Sequence, residues 1–467
     1  MALAVNEPND EIRELRKQWR VLEALDGGTP AMRLATTSLL PQWPAETSEA
    51  YQARLSTATL FPAWRRTVNV MSGKPFSQAA ELEDADPSIT QWAQDIDLQG
   101  NNLHVFSAEM FRETVGYGLA GILVEHPRQP AGGFRSRAEQ EASGQRPYWV
   151  RVKHDAILGW KTANVGGKAV LTQLRLAETY DEDDGPYGVM VKPQVRVLTR
   201  GGWSIYRQTG TKQVWELFES GRTSLADIPF VPLYGVRKAF MVGQPPLLDV
   251  AYLNVKHWQS QSDQDTILHA ARVPILTVAG VEAIELAIGG SQAINLGANP
   301  DAKLAWVEHG GAAIGAGKES LTQLEDQMIQ YGAELLVKQP GDRSATEAEN
   351  DAEGNKSDLQ RMAESFEDAL DQALVFTAQY ARLSRPGSVQ LYDQYGEPTL
   401  GDASATLVLS MQQGGLISKK TAISEMKRRG ELAAEVDPDE EAEAVAADGP
   451  ALGALGLDGR EDSEDAG

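Results

Sequence analysis

From Pro245 to Arg272 the chain reads PPLLDVAYLNVKHWQSQSDQDTILHAAR, with no glycine or proline after its opening pair. This predicts one unbroken helix, about 40 Å long at 1.5 Å per residue. Leu247, Ala251, Val255 and Trp258 form an apolar stripe along its first half. Gln259 to Asp265 (QSQSDQD) is then polar on every face. A helix polar all round is not held by a monomer's core. It must line a wet space or pack against neighbours through hydrogen bonds.

The rest of the chain predicts a mixed α+β fold. Ile12, Leu15, Trp19, Leu22 and Leu25 mark a helix over 10–26, and Leu60, Phe61, Trp64, Val68 and Met71 mark another over 59–71, stopped by Gly73 and Pro75. A third, over 103–117, leads into a short buried strand at 121–125. Residues 129–145 read as a polar surface loop. Strands are expected at 148–153, 170–176, 195–198, 203–207 and 214–218. The acidic run Asp181–Gly185 is expected to be a solvated turn between strands. It lacks the alternating ligands and closing bidentate Glu of a calcium loop.

Beyond the long helix a small β/α unit is expected: a strand at 274–279, a short helix or strand at 281–288, and a strand at 302–308. A Gly-rich hinge (GGAAIGAGK) then precedes a helix over 319–337. Gln339-Pro340-Gly341-Asp342-Arg343 is a turn. Ser344 to Glu347 has the spacing of a capping box opening a helix that runs to about Leu383. Its first half is acidic, with Glu347, Glu349 and Asp351. Its second half carries a stripe through Leu359, Met362, Phe366, Leu370 and Leu374. Ser418 is placed to cap a last helix ending at Lys427-Arg428-Arg429-Gly430.

Charge narrows the function. The 467 residues carry a formal net charge of −23 and no cysteine, so disulfides and Cys-ligated zinc are excluded. Residues 431–467 hold 13 acids and one base. That tail has no aromatic residue and is expected to be disordered. The remaining body is still acidic, whereas tight DNA binding needs Lys and Arg on the phosphates. Such a chain is not expected to grip DNA, although it could surround a duplex that must slide. EIRELRKQWR near the start is charged and no apolar stretch follows it, so no signal peptide is expected. No apolar run approaches the ~20 residues of a membrane span. The protein is expected to be soluble and intracellular when made.

Catalytic motifs are weak. Ala312 to Glu319 (AAIGAGKE) lies between an expected strand and helix, as a P-loop would. However, Ala312 replaces its first glycine, and Glu319 replaces the Ser/Thr that binds Mg²⁺. A carboxylate there repels phosphate. The six histidines form neither HxxxH nor HExxH. No GxSxG elbow, zinc finger or RRM motif is present. The expectation is a non-enzyme with no cofactor and no metal. A P-loop-like NTPase using Lys318 is the alternative, and a structural or adaptor protein of another kind is a third reading.

Several segments, in order, carry a family resemblance: Thr59-Leu-Phe-Pro62, Gly116-Tyr-Gly-Leu-Ala-Gly121, Arg146-Pro-Tyr148, Ile228-Pro-Phe-Val-Pro-Leu-Tyr234, Pro245 to Asn254, Val273-Pro-Ile-Leu276, Val307 to Gly315 and Ser344-Ala-Thr-Glu347. Over roughly residues 50–430 the chain resembles the portal proteins of tailed bacteriophages. It looks closest to a portal-like family first catalogued as a domain of unknown function. The resemblance implies a ring, typically of twelve subunits, at the portal vertex of the capsid. It implies a wing (1–244), a first stem helix (245–273), a clip (274–310) and a second stem helix (311–338). A tunnel loop and long wing helix (339–395), a short helical crown (396–436) and the acidic tail (437–467) would follow.

By the same resemblance, Gln259, Gln261, Asp263 and Asp265 would line the channel. Gln339, Pro340, Gly341, Asp342 and Arg343 would form the tunnel loop, and Glu347, Glu349 and Asp351 would lie on the tunnel helix. Glu282, Glu285, Asn295, Asn299 and Asp301 would belong to the clip. The implied partners are the terminase large subunit, a head–tail adaptor, the major capsid and scaffolding proteins, and double-stranded DNA passing through without sequence-specific binding. The implied work is genome packaging and ejection. No membrane is involved, and the implied places are the host cytoplasm during assembly and then the virion.

Overall fold

The computed structural model describes residues 3–127, 143–210, 213–272, 275–279, 303–307, 312–334, 357–393, 410–412, 417–428 and 436. The chain divides into two compact units, 1–395 and 396–467.

In the first unit, α1 (Asp10–Asp26) begins where Asn9 accepts a hydrogen bond from the Ile12 amide, and it buries Ile12, Leu15, Trp19 and Leu22. Short helices α2 (Gly28–Leu34) and α3 (Ser48–Thr57) follow. Helix α4 (Ala63–Gly73) starts after Pro62, four residues later than the apolar spacing implied, because proline at the cap cannot extend the helix backward. Strand β1 (Glu81–Glu83), α5 (Pro87–Trp92) and α6 (Leu103–Tyr117) come next. Helix α6 ends at Gly118, whose φ of +80° suits only glycine. A Cβ there would lie 2.3 Å from the Gln244 backbone.

Strand β2 (Leu119–Glu125) is buried from Leu119 to Val124 and sits between two antiparallel neighbours, β3 (Tyr148–Val152) and β9 (Phe230–Tyr234). A strand buried on both faces reads as a continuous apolar run, and LAGILV does so. Helices α6 and α9 (Asp358–Ala381) pack on this sheet. Phe76, Phe111 and Phe366 meet there, with Phe111 and Phe366 edge-to-face at 5.1 Å. Trp149 donates to Thr377 Oγ1 at 2.8 Å, fastening β3 to α9.

A five-stranded antiparallel meander runs β4 (Ile157–Val165), β5 (Lys168–Asp184), β6 (Gly188–Thr199), β7 (Gly202–Thr209) and β8 (Val214–Arg222). The acidic run is not a turn. Asp181 to Asp184 continue β5 and pair with Val191 to Gly188, and the chain reverses at Gly185, whose φ is +77°. The expectation of solvation holds, since all four acids are exposed. The hairpin β10 (Val236–Ala239) and β11 (Val242–Gln244) leads into α7 (Leu248–Ala271). Strands β12 (Ile275–Ala279) and β13 (Lys303–Val307) pair antiparallel, α8 (Ala312–Glu334) follows, and β14 (Ser388–Gln390) pairs with β1.

Two expectations between β13 and α9 are corrected: the hinge, and a single helix running unbroken through Ser357, whose extended backbone instead opens α9. The Gly-rich segment is no hinge: the helix begins at Ala312, seven residues earlier than expected, so Ala312 to Lys318 is helical. Three alanines favour that helix. The capping box realised in the structure is Ser357–Gln360, where Ser357 Oγ accepts from the Gln360 amide and Gln360 Oε1 from the Ser357 amide. The box expected at Ser344 lies outside the described residues, as do the expected elements at 129–142 and 281–288 and the tail from 437. In the second unit, α10 (Lys419–Arg428) begins as expected, with the Thr421 amide donating to Ser418 Oγ at 3.0 Å.

His154 ties the meander to the helices. Its Nδ1 lies 2.6 Å from Glu113 of α6 and its Nε2 lies 3.2 Å from Glu23 of α1, and its ring stacks on Tyr117 at 3.6 Å. Two carboxylates facing both ring nitrogens favour the imidazolium. Burial alone would pull the imidazole down, but the hydrogen bond and charge of Glu113 and the bond to Glu23 outweigh it, so His154 lies above its ordinary value. A raised folded value makes this contribution complete below the unfolded pKa and lost as pH rises through the folded one. The melting-temperature deficit of His154→Gln is therefore expected to be largest near pH ~6, and to shrink as pH rises beyond the ordinary imidazole value of about 6.5. A deficit that grows with pH would contradict the charged form.

Candidate functional site: the paired helices and their terminal hairpin

Helices α7 and α8 pack against each other, and β12 and β13 pair between them in the chain, with Ile275 opposite Val307 and Ala279 opposite Lys303. The chain thus leaves the body along α7, passes through a β hairpin and returns along α8.

The first half of α7 is anchored in the core. Val250, Ala251 and Trp258 are buried. Asn254, 1% exposed, sits among them. Its Oδ1 accepts from the Trp64 amide at 3.0 Å, and its Nδ2 donates to Phe61 O at 2.8 Å. Asn254 is thereby the N-terminal cap of α4, supplied from another helix, where Pro62 cannot provide one. His257 is buried beside Phe61 and reaches Glu325 of α8 at 3.1 Å.

The second half of α7 is held by hydrogen bonds within its own chain. Gln259 donates to Leu39 O at 3.0 Å, and Ser262 Oγ accepts from Arg54 Nη1 at 3.4 Å. Gln264 donates to Ile314 O of α8 at 3.0 Å, against Gly317, where a Cβ would lie 2.0 Å from Gln264 Oε1. Gln261 donates to Asp265 Oδ1 at 2.8 Å, one turn away along the helix.

Arg54 is the centre of this arrangement. It forms a two-pronged pair with Glu46, both bonds at 2.7 Å, donates to Pro41 O at 2.8 Å and stacks on Trp43 at 4.2 Å. The Arg54 and Glu46 side chains are 5% and 4% exposed. The hydrogen bond from Arg54 holds the Glu46 carboxyl below its ordinary range. Asp263, half-buried nearby, is raised by burial, which the charge of Arg54 opposes and that of Glu46 reinforces.

The four residues expected to line a channel therefore divide. At 100° per residue, Gln259 and Asp263 share one side of α7 and Gln261 and Asp265 the other. Gln259 and Asp263 lie toward Leu39 and Arg54, and only Asp265 of the four is exposed. The tunnel-loop residues Gln339 to Arg343, the helix residues Glu347, Glu349 and Asp351, and the clip residues Glu282, Glu285, Asn295, Asn299 and Asp301 lie outside the described residues.

Helix α8 buries one stripe, Leu321, Leu324, Met328 and Gly332. Gly332 rests on Thr67 of α4, where a Cβ would meet Thr67 Cγ2 at 2.8 Å. The opposite side exposes Thr322, Gln323, Asp326, Gln327 and Gln330. Lys318 is also exposed on this helix, so the segment compared with a P-loop has no loop in which to cradle phosphate. Among the described residues no group of three or more His, Asp or Glu could hold a metal ion, and no helix is long and apolar enough to cross a membrane.

Residues 246–381, from α7 to the end of α9, match the model of a family described as a domain of unknown function, DUF4055. No curated protein matches the chain. Among solved structures, it is similar to a chain from the neck of an empty GTA particle, with 10% identity over 81% of this chain and 93% of that one, at a TM-score of 0.41. A chain from the virion of a native gene transfer agent (GTA) particle gives 10% identity over 85% and 97%, at 0.39. One from the neck of the native particle gives 12% over 84% and 96%, also at 0.39. At these scores the likeness does not establish a shared fold.

Two substitutions test how α7 is held. Arg54→Met leaves the Glu46 carboxylate buried without its partner and is expected to destabilise the fold by about 3 kcal/mol. Asn254→Ala leaves the buried Trp64 amide without an acceptor and is expected to cost about 1–3 kcal/mol. Urea unfolding reads both. A change below about 0.5 kcal/mol, typical of a surface substitution, would contradict either role.

Proposed function

We propose that this chain is the ring-forming portal subunit of a tailed bacteriophage, a virion structural protein through which DNA enters and leaves the capsid. The observation that carries this reading is the helix–hairpin–helix excursion α7–β12–β13–α8, built on a mixed α/β body. In the proposal α7 and α8 are the stem, and 274–310 is the clip that meets the terminase and later the head–tail adaptor. In the same proposal residues 339–351 face the DNA. The outward side of α8 fits such a wall. It presents mainly uncharged polar side chains, which a sliding duplex contacts without being held through its phosphates. The order of segments resembling portal proteins supports the same reading, and 246–381 is the stretch that matches the family model. ATP hydrolysis belongs to the packaging partner, and no catalytic residue is assigned. The helical state of Ala312 to Lys318 gives the NTPase alternative no support.

Electron microscopy of the purified protein, with its mass measured in parallel, tests this. Rings with a central hole and a mass near that of about twelve subunits are expected, with no nucleotide turnover; a compact monomer that hydrolyses ATP would overturn the reading. Within such rings Asp265, on the outward side of α7, is assigned to the channel wall. Asp265→Lys is expected to leave the ring intact and make it retain duplex DNA in a salt-dependent way. Unchanged DNA retention would remove Asp265 from the wall. Asp263 is left in place because it lies beside Arg54.

A further inference from the structure

The β5–β6 ribbon outruns its sheet. Strand β4 pairs with β5 no further than Leu176, and β7 pairs with β6 no further than Gln194. Thr179 to Asp184 and Gly188 to Pro193 therefore form a two-stranded arm, about 20 Å long at 3.3 Å per residue, with no strand on either side. One strand of the arm is acidic: Asp181, Glu182, Asp183 and Asp184. The other is apolar: Val189, Met190 and Val191, with Tyr187 at the tip. Val189, Met190 and Val191 are 47–61% exposed and Tyr187 is fully so. With Lys192, which pairs with Glu182, the arm carries a net charge of −3. An isolated two-stranded ribbon is marginal in water, and one with an apolar strand gains from being covered.

The same chain carries a face of opposite character. Residues 63–74, α4 and its C-cap, hold Arg65, Arg66 and Lys74 and no acid, a net charge of +3 in a chain of −23. Arg66 and Val70 lie one turn apart on the exposed side of α4. Ile329 and Tyr331 of α8, both exposed, flank the contact between Gly332 and Thr67. An acidic and apolar arm thus has a basic and apolar counterpart elsewhere on the same chain.

We propose that the β5–β6 arm of one subunit docks on the α4–α8 face of a second copy. Successive side chains alternate between the two faces of the ribbon, so the docking face is the one with Asp181 and Asp183, which lie toward Arg66 and Lys74, and Val189 and Val191, which cover Val70 and Ile329. Because arm and face are different surfaces, the contact is heterologous, and repeating it closes a ring when the rotation allows. The inference rests on the ring reading above and names the surfaces that would build the ring.

The chain has no cysteine, so two introduced cysteines report on the contact without background. The full-length Val191→Cys/Val70→Cys variant, treated with a short bis-maleimide, is expected to give a ladder of covalent multimers. Each single variant is expected to give none. Covalent dimers from Val191→Cys alone, or no ladder from the double variant, overturn the docking. In parallel, Asp181→Lys/Asp183→Lys is expected to raise the concentration needed for assembly about tenfold, an effect that salt diminishes, and Arg66→Glu/Lys74→Glu in the mixing partner to restore it. Circular dichroism confirms that these exposed positions leave the fold intact. Wild-type rings that persist unchanged in the arm variant overturn the docking alone. A ladder from chains that never close into rings supports the docking and overturns the ring reading.

Discussion

Arg54 commits its guanidinium to two separate parts of the chain. It holds the Pro41–Glu46 loop through two bonds to Glu46 and one to Pro41 O, stacks on Trp43, and reaches Ser262 on α7. A helix carrying QSQSDQD has no apolar side with which to join a core, so its placement depends on polar contacts of defined direction. Arg54, Leu39 O and the α8 backbone supply them. With α7 fixed in this way, Gln264 sets the distance to α8 through Gly317, and α8 in turn buries Leu321, Leu324 and Met328. The hairpin at the far end inherits its position from this pair.

Much of this was legible in the sequence, for identifiable reasons. Helices such as α1 and α6 were legible because their apolar residues recur at helical spacing and their caps are local: Asn9 and Asn102 each accept from an amide three residues on. The requirement that QSQSDQD find polar partners followed from its composition, but the partners did not. Arg54 and Glu46 lie about 200 residues away and carry no motif. The sequence reading passes over one available signal, Asn254, a polar residue at a buried position of α7, where an unpaired amide would be costly. The acidic run was misread as a turn because charge density outweighed register. Asp181 to Asp184 extend as strand because β6 offers a matching edge.

The Gly-rich segment that opens α8 misleads in the opposite direction. Two glycines among three alanines suggest a joint when only propensity is considered. Tertiary contact reverses that reading, since a small residue at 317 is what lets the Gln264 side chain approach the α8 backbone. The same substitution pattern that weakens a helix in isolation allows two helices to sit close together. The expected clip residues from Glu282 to Asp301, the tunnel loop and the tail fall outside the described residues, and the part of the candidate site that rests on structure is the stem-like pair with strands β12 and β13.

The outgoing and the returning helix both meet the body on α4, Asn254 of α7 at Trp64 and Gly332 of α8 at Thr67, less than one turn apart. From Asn254 to the end of α7 is about 25 Å at 1.5 Å per residue, which makes the pair a lever seated on α4 and braced farther along at Leu39 and Arg54. A load applied at the hairpin, whatever applies it, is delivered to α4 as torque. Trp64 and Val68, buried in the main core, lie against Gly116 of α6, and through that helix the torque reaches the sheet behind.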